Sequence, residues 1–177
     1  AGDLGADGVA IVAAMVTVAQ ERKVRRLWDI LLPAQFYQAV RRQDSGGLLR
    51  FRATDEQLLA GLHLFQGSVV QMNAGEGKTI AAAFPAVLHV VQGRSVHIIT
   101  ANDYLAARDA DLLAPVYESL GIGVGAVLSY MEDEERRHDY RRGIVYSTMR
   151  ELGFDFHRDN LKVNLSDRVQ GKLEVAI

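Results

Sequence analysis

Short apolar runs and longer amphipathic stretches alternate along the second half of the chain. Five short runs rich in apolar and β-branched residues have the length of buried strands. They are residues 68–72, 95–100, 124–128, 144–148 and 173–177. Between them, helices are predicted at residues 80–91, which are apolar, at residues 102–120, and at residues 132–142, which are charged. This alternation predicts βαβ crossovers, and therefore a parallel sheet that helices cover on both faces.

Polar residues mark the starts of two predicted helices and the surface of a third. Thr54 or Asp55 is expected to cap a helix ahead of the first strand, and Asn102 or Asp103 a helix at residues 102–120. In the helix predicted at residues 132–142, charges of opposite sign recur at i and i+4. The pairs Glu132–Arg136 and Asp133–Arg137 are therefore expected on an exposed face.

The first third of the chain has a different pattern. Ile11, Met15 and Val18 lie at i, i+4 and i+7, which predicts a helix within residues 9–32, and a second helix is predicted at residues 34–43. We therefore divide the chain into an N-terminal helical segment at residues 1–50 and an α/β domain at residues 51–177. A basic cluster at residues 21–26 allows a peripheral membrane contact, although a solvated helix face is the preferred interpretation.

Composition excludes several classes of function. The chain has no cysteine, so it forms no disulfide and no thiolate metal site, which fits a reducing cytoplasm. Its five histidines lack the spacing of a metal-binding helix. A net charge of −2 supplies no general attraction to nucleic acid or anionic lipid.

The candidate chemistry lies in a glycine-rich loop between the first predicted strand and the next helix. The loop residues are Ala74, Gly75, Glu76, Gly77, Lys78 and Thr79. The glycines let backbone N–H groups converge on an anion at the positive end of the helix. Lys78 supplies a cation for terminal phosphates, and Thr79 a hydroxyl for Mg²⁺. The loop predicts nucleotide binding, although Met72 replaces the first glycine of G-x-x-x-x-G-K-[ST].

Ligands of parallel α/β sheets bind beyond the carboxyl ends of the strands. The glycine loop follows one predicted strand, residues 100–103 follow the next, and Ser147 and Thr148 end a third. We expect these three segments to meet at one edge of the sheet and to form a single site.

Four stretches carry a resemblance to a known family. They are Q-L-L-A-G at residues 57–61, M-N-A-G-E-G-K-T at 72–79, T-A-N-D-Y-L-A-A-R-D-A at 100–110, and Y-S-T at 146–148 with G-F-D-F-H-R-D-N at 153–160. In these motifs and their spacing, residues 31–177 resemble the first nucleotide-binding domain of SecA, the preprotein translocase motor related to DEAD-box helicases. The resemblance implies a RecA/DEAD-like P-loop NTPase fold, with a parallel sheet and flanking helices.

The resemblance also implies roles for individual residues. Gln57 would read the adenine amino edge and so favour ATP. The loop from Gly75 to Thr79 would hold the β- and γ-phosphates with Mg²⁺, and Thr79 would be the metal ligand. Asp103 and Arg108 would belong to a motif that couples the nucleotide to movement. For Arg108 and Asp109, a salt-bridged helix face is an equally good interpretation.

This chain also departs from the family pattern. Ala74 replaces a threonine and Asn73 a common basic residue, so the phosphates lose one hydroxyl and one charge. Asp155, Arg158 and Asp159, within the last motif, are expected to make fold-stabilising polar contacts rather than to take part in chemistry.

In the family, a strand like residues 173–177 leads into a V-D-E-x-D motif whose carboxylates hold Mg²⁺ and position the attacking water. The 177 residues contain no such motif. We therefore expect no catalytic residue within this chain and interpret it as a piece of a longer protein.

Two interpretations of function remain open. In the first, the chain is the ATP-binding part of a cytoplasmic, peripherally membrane-bound SecA-like motor. That motor would drive unfolded preproteins through a membrane protein-conducting channel by ATP hydrolysis, although this piece alone would have no turnover. In the second, it is a non-catalytic nucleotide-binding or scaffold module of the same fold. An RNA helicase is disfavoured, because the net charge of −2 gives RNA no basic track.

Overall fold

Helices and strands alternate through the part of the chain that the computed structural model describes, residues 53–177. In chain order they are α1 (Asp55–Phe65), α2 (Lys78–Val91), β1 (Val96–Thr100), α3 (Asp103–Ser119), β2 (Val124–Val127), α4 (Asp133–Tyr140), β3 (Ile144–Thr148), α5 (Met149–Leu161), a 3₁₀ turn (Leu165–Asp167) and β4 (Val175–Ala176). The helices predicted at residues 9–32 and 34–43, and the N-terminal segment to which they belong, lie outside the described residues. The proposed division at residue 50 therefore stays a prediction.

The four strands form one parallel sheet in the order β2-β3-β1-β4. Ile144 lies opposite both Val96 of β1 and Val124 of β2, so the three strands start in register. Strands that run the same way need long crossover connections, and helices α3, α4 and α5 occupy them. The parallel sheet predicted from the alternating pattern is confirmed.

Helices cover the sheet on both faces. On one face, the alternate residues Val96, Ile98, Ile144 and Tyr146 pack against α2 and α3 in the larger core cluster. On the other, Val145 packs with residues of α4 and of the segment after α5 in a smaller cluster. Side chains alternate between the two faces of a strand, and β3 is buried along its whole length because both faces are covered.

Helices α1 and α2 cross at close range. A Cβ atom placed on Gly61 would lie 2.9 Å from the carbonyl oxygen of Ala81 and 3.0 Å from Cβ of Phe84. Real Cβ atoms do not approach backbone so closely, so a glycine at this position permits the crossing.

The strand predicted at residues 68–72 is not formed, and that prediction is wrong. Val69 is fully exposed, and none of these residues belongs to the four-stranded sheet of the described chain. A β-branched run gains little from an extended conformation unless a neighbouring strand completes its backbone hydrogen bonds. The glycine loop therefore follows an irregular segment rather than a strand.

The exposed ion pairs predicted along α4 are also wrong. Arg136 is 2% exposed and turns inward to Glu151 and Asp155 of α5, each at 3.0 Å. Glu132 is instead the N-cap of the helix, and its backbone N–H donates to Oε2 of Glu135 at 3.0 Å. A pair at i and i+4 on a surface helix contributes only about 0.3–0.5 kcal/mol, which is too little to hold an arginine that can reach two buried carboxylates.

Candidate functional site

The glycine-rich loop joins the irregular segment to the first turn of α2. Gly75 and Gly77 have φ angles of 84° and 81°, a left-handed conformation that other residues adopt only with strain. Gly77 is also the N-cap of α2, which starts at Lys78. A Cβ atom on Gly77 would lie 2.3 Å from Nε2 of Gln57. The backbone angle therefore favours glycine at position 77, and any side chain there would also displace the amide of Gln57.

Gln57 connects the start of α1 with this loop. Its Oε1 accepts from the backbone N–H of Thr54 at 3.1 Å, closing a capping box, and its Nε2 donates to the carbonyl oxygen of Glu76 at 2.9 Å. An amide can still donate a second hydrogen and accept at a second lone pair. Those two positions match the acceptor N7 and the amino group of adenine. The structure thus places Gln57 beside the glycine loop, and its expected role in reading adenine stays a prediction.

In this structure the polar groups of the loop bind one another. The carboxylate of Glu76 accepts from the backbone N–H of Asn73 at 2.6 Å and from its side-chain amide at 2.8 Å. Lys78 donates through Nζ to the carbonyl oxygen of Asn73 at 2.6 Å. All three residues are exposed, so a phosphate can replace these internal partners in exchange for similar hydrogen bonds.

Thr79 follows Lys78 and lies beside helix α3. Its hydroxyl donates to Oδ2 of Asp109 at 3.2 Å. The other carboxylate oxygen, Oδ1, accepts from Nε and Nη2 of Arg108 at 2.8 Å and 2.6 Å. The hydroxyl of Thr79, the buried carboxylate and the guanidinium therefore form one chain of hydrogen bonds.

The donor set around Thr79 suits a metal that arrives with its own ligands. Among residues 53–177, no cluster of three or more His, Asp or Glu side chains is placed to hold a metal ion. Mg²⁺ usually binds through one or two protein oxygens and completes its shell with water and substrate phosphates. The Thr79 hydroxyl, with the carboxylate of Asp109 behind it, fits that kind of site.

Asp103 joins two loops at the carboxyl edge of the sheet. Its Oδ2 accepts from the backbone N–H of Ser129, after β2, at 2.8 Å. Burial acts to raise the pKa of Asp103, but the hydrogen bonds from Ser129 and the charges of Arg150 and Arg136 outweigh it, so the pKa lies below its usual value. No hydrogen bond within the described chain connects Asp103 to the glycine loop. Its predicted part in nucleotide binding stays a prediction.

Two of the three segments expected at the carboxyl edge are joined directly. The hydroxyl of Thr100, at the end of β1, shares its one proton between the carbonyl oxygens of Asn102 and of Ser147, which lie at 3.1 and 3.4 Å. The glycine loop instead makes hydrogen bonds with two helices. Gln57 of α1 donates to the loop, and Thr79 donates to Asp109 of α3. Among the described residues no hydrogen bond joins the glycine loop to the other two segments, so the single site expected at this edge stays a prediction.

Asp109 is the site residue that sequence reasoning undervalued. A salt-bridged helix face is one of the two interpretations that the sequence allows for it, and its ion pair with Arg108 is present. Its bond to Thr79 was not foreseen. The spacing contained a signal, because position 109 recurs with Ala106, Ala110 and Leu113 on the buried side of α3.

The two acidic residues of the last motif bind different partners, one a buried arginine and the other the segment after α5. Asp155 is fully buried and accepts from Arg136, from the hydroxyl of Tyr140 and from Arg158. Asp159 accepts from the backbone N–H groups of two residues beyond the 3₁₀ turn, at 2.9 and 2.8 Å. These contacts hold α4, α5 and the following segment together, which is the fold-stabilising role expected for them.

Comparison with known proteins shows the family to which the chain belongs. Residues 10–177 match the family described as the SecA DEAD-like domain. The chain belongs to this family. SecA DEAD-like domains have a RecA-like P-loop fold, and the parallel sheet with flanking helices agrees with it, so the predicted fold class is confirmed.

Similar proteins carry the name protein translocase subunit SecA. The one from Acidobacterium capsulatum is 44% identical over 153 residues, which cover 86% of this chain and 15% of that protein. The one from Acidithiobacillus ferrooxidans is 42% identical over 169 residues, or 95% of this chain and 18% of that protein. A relative from Clostridium botulinum is 46% identical over 149 residues, with shares of 84% and 18%. This SecA DEAD-like chain thus spans less than a fifth of the length of the relatives that it matches.

Proposed function

We propose that this chain is the ATP-binding part of a SecA-like motor. In the longer protein, the motor would drive unfolded preproteins through a membrane protein-conducting channel by ATP hydrolysis, working from the cytoplasm with peripheral contact to the membrane. Family membership and the name shared by its relatives support the kind of motor. The observation that carries the proposal is the hydrogen bond from Nε2 of Gln57 to the carbonyl oxygen of Glu76, because it joins the amide that we propose for adenine to the loop that we propose for the phosphates.

Each residue of the proposed site has a separate task. The N–H groups around Gly75 and Gly77 and the ammonium of Lys78 would bind the β- and γ-phosphates. Gln57 would recognise adenine through its free donor and lone pair. The hydroxyl of Thr79 would be the protein ligand of Mg²⁺. When bound, Mg²⁺ neutralises the phosphate charge that these residues face.

A second candidate function is a nucleotide-binding or scaffold module without turnover. It is favoured by the sequence itself, because the 177 residues contain no V-D-E-x-D motif to supply a water-positioning glutamate. We therefore expect this chain, assayed alone, to bind ATP and to release no phosphate above background. Phosphate release that depends on Lys78 would contradict this expectation.

Titration calorimetry with the 177-residue chain tests the nucleotide site. We expect Mg·ATP to bind more tightly than Mg·GTP, and Lys78→Ala to weaken binding by at least about tenfold, since it removes a charge-assisted contact to phosphate. Lys172→Ala, at an exposed lysine far along the sequence, is the matched control and should bind as the unsubstituted chain does. Gln57→Ala should reduce the preference for ATP over GTP. Equal affinity for both nucleotides, or loss of binding in the control alone, would contradict the proposal.

A further inference from the structure

Asp109 is a carboxylate on the side of α3 that packs into the core. The buried positions of this helix are Ala106, Asp109, Ala110, Leu113 and Tyr117. The aspartate therefore interrupts an otherwise largely apolar stripe, and it is only 7% exposed. An ionised carboxylate is costly to bury unless opposite charge and hydrogen bonds compensate it. Helix stability alone gives no reason for an acid at this position.

Two partners share the carboxylate of Asp109. Arg108 binds Oδ1 with two nitrogens and balances the charge from a side chain that is 47% exposed. Thr79 binds Oδ2 through its hydroxyl at 3.2 Å. The second bond is the informative one, because it reaches from the middle of α3 to the first turn of α2, where the glycine loop ends.

The direction of that bond bears on metal binding. A threonine hydroxyl has one proton and two lone pairs, and the proton of Thr79 is donated to Asp109. The lone pairs of Oγ1 are therefore what remains for a cation. A carboxylate behind a ligand fixes the orientation of that ligand and raises its basicity. Hard cations such as Mg²⁺ take oxygen ligands of this kind.

We propose that Asp109 is a positioning residue for Mg²⁺. It holds the hydroxyl proton of Thr79, so that a lone pair of Oγ1 is presented to the cation that accompanies the nucleotide. Arg108 balances the charge of the buried carboxylate. This inference rests on the proposed function, because it assumes that a Mg·nucleotide complex binds at the glycine loop.

The test separates the contribution of the metal from that of the nucleotide. Binding of a fluorescent ATP analogue to the 177-residue chain is measured in saturating Mg²⁺ and in EDTA, and the ratio of the two affinities is the Mg²⁺ increment. We expect Asp109→Ala to lower this increment by about tenfold or more, the usual effect of removing a group that orients a metal ligand. Affinity in EDTA should stay unchanged. Asp109→Asn keeps an acceptor for Thr79 and should lower the increment less.

Two controls make the result specific. Asp111→Asn changes an exposed aspartate on the same helix and should leave the increment unchanged. Thr79→Val should lower the increment by itself, and adding Asp109→Ala to it should cause no further loss, because both act through one hydroxyl. Circular dichroism establishes that each variant is folded, and Asp109→Asn serves if Asp109→Ala does not fold.

The outcomes distinguish the two proposals. A lower increment in the Asp109 variants at constant EDTA affinity supports the positioning role. An unaltered increment, or an equal loss of affinity with and without Mg²⁺, overturns the positioning role. Neither result contradicts the proposal that the chain binds a nucleotide. No binding by the unsubstituted chain in either condition refutes the proposed function as well.

Discussion

Replacing Arg136 by methionine should cause the largest loss of stability among the substitutions considered. The guanidinium of Arg136 donates to Glu151 and Asp155 at 3.0 Å, and to the carbonyl oxygens of Leu128, Ser129 and Met131 at 2.8–3.0 Å. Methionine fills much of the same volume, so little of the loss comes from a cavity. The loss comes from two buried carboxylates that lose the buried guanidinium they share and keep only arginines at the surface.

The size of the expected loss in the free energy of unfolding depends on which bonds the two carboxylates keep. Removing one partner of a buried ion pair costs about 3–5 kcal/mol. Asp155 keeps bonds from Tyr140 and Arg158, and Glu151 keeps a weaker contact with Arg150 at 3.4 Å, so we expect the lower half of that range. With a urea m value of about 1–3 kcal/mol/M, the unfolding midpoint should fall by about 1 M or more.

Urea unfolding followed by circular dichroism measures the effect against a matched substitution. Arg141→Met alters an exposed arginine just past the end of α4, and its free energy of unfolding should change by no more than about 0.5 kcal/mol. Adding Glu151→Gln to Arg136→Met should recover part of the loss, because one unpaired carboxylate is then neutral. If Arg136→Met unfolds at the same urea concentration as Arg141→Met, the reasoning is refuted.

Two further predictions concern pH. Burial lowers the pKa of His97. Below about pH 6.5 the unfolded chain therefore takes up a proton that the folded chain does not. The free energy of unfolding falls as the pH falls, by up to about 1.4 kcal/mol per pH unit. His97→Leu should flatten this slope between pH 7 and 5 in urea unfolding, whereas His157→Leu, at an exposed site, should not. Burial also raises the pKa of Tyr117 and of Tyr146, whose hydroxyls share a 2.9 Å hydrogen bond. Above about pH 10 only the unfolded chain ionises these residues, so stability should fall and part of the tyrosinate absorbance should appear only on unfolding; ionisation of every tyrosine near pH 10 in the folded chain would contradict this.

Local signals were enough to predict much of the described fold. The strand predicted at residues 144–148 is observed as Ile144–Thr148. A short, continuous apolar run is typical of a parallel strand that is buried on both faces. Two helices begin next to the capping residues that the sequence offers. Thr54 is the N-cap of α1, and Asn102 is the N-cap of α3, where its side chain accepts from the N–H of Leu105. Caps and buried strands depend on neighbours in sequence or on simple hydrophobicity, so spacing reveals them.

The failures share one physical cause, which is dependence on a distant partner. Residues 68–72 have the composition of a strand, but pairing depends on another strand and not on composition. Arg136 was assigned to surface ion pairs because its acidic neighbours on α4 are visible in the sequence, whereas Glu151 and Asp155 come from another helix. The bond from Thr79 to Asp109 spans thirty residues, and no local rule connects them.

The close crossing of α1 and α2 has a mechanical consequence. At Gly61 the two helices touch through their backbones, and at Gln57 the start of α1 is bonded to the loop that opens α2. The amide of Gln57 and the glycine loop are thus connected by a direct hydrogen bond and by the close packing of α1 on α2. A shift of the loop toward a bound phosphate would pull the start of α1 along with it. In the proposed nucleotide site, contact with the phosphates and recognition of the base would therefore be coupled, and a substitution that weakens one should weaken the other.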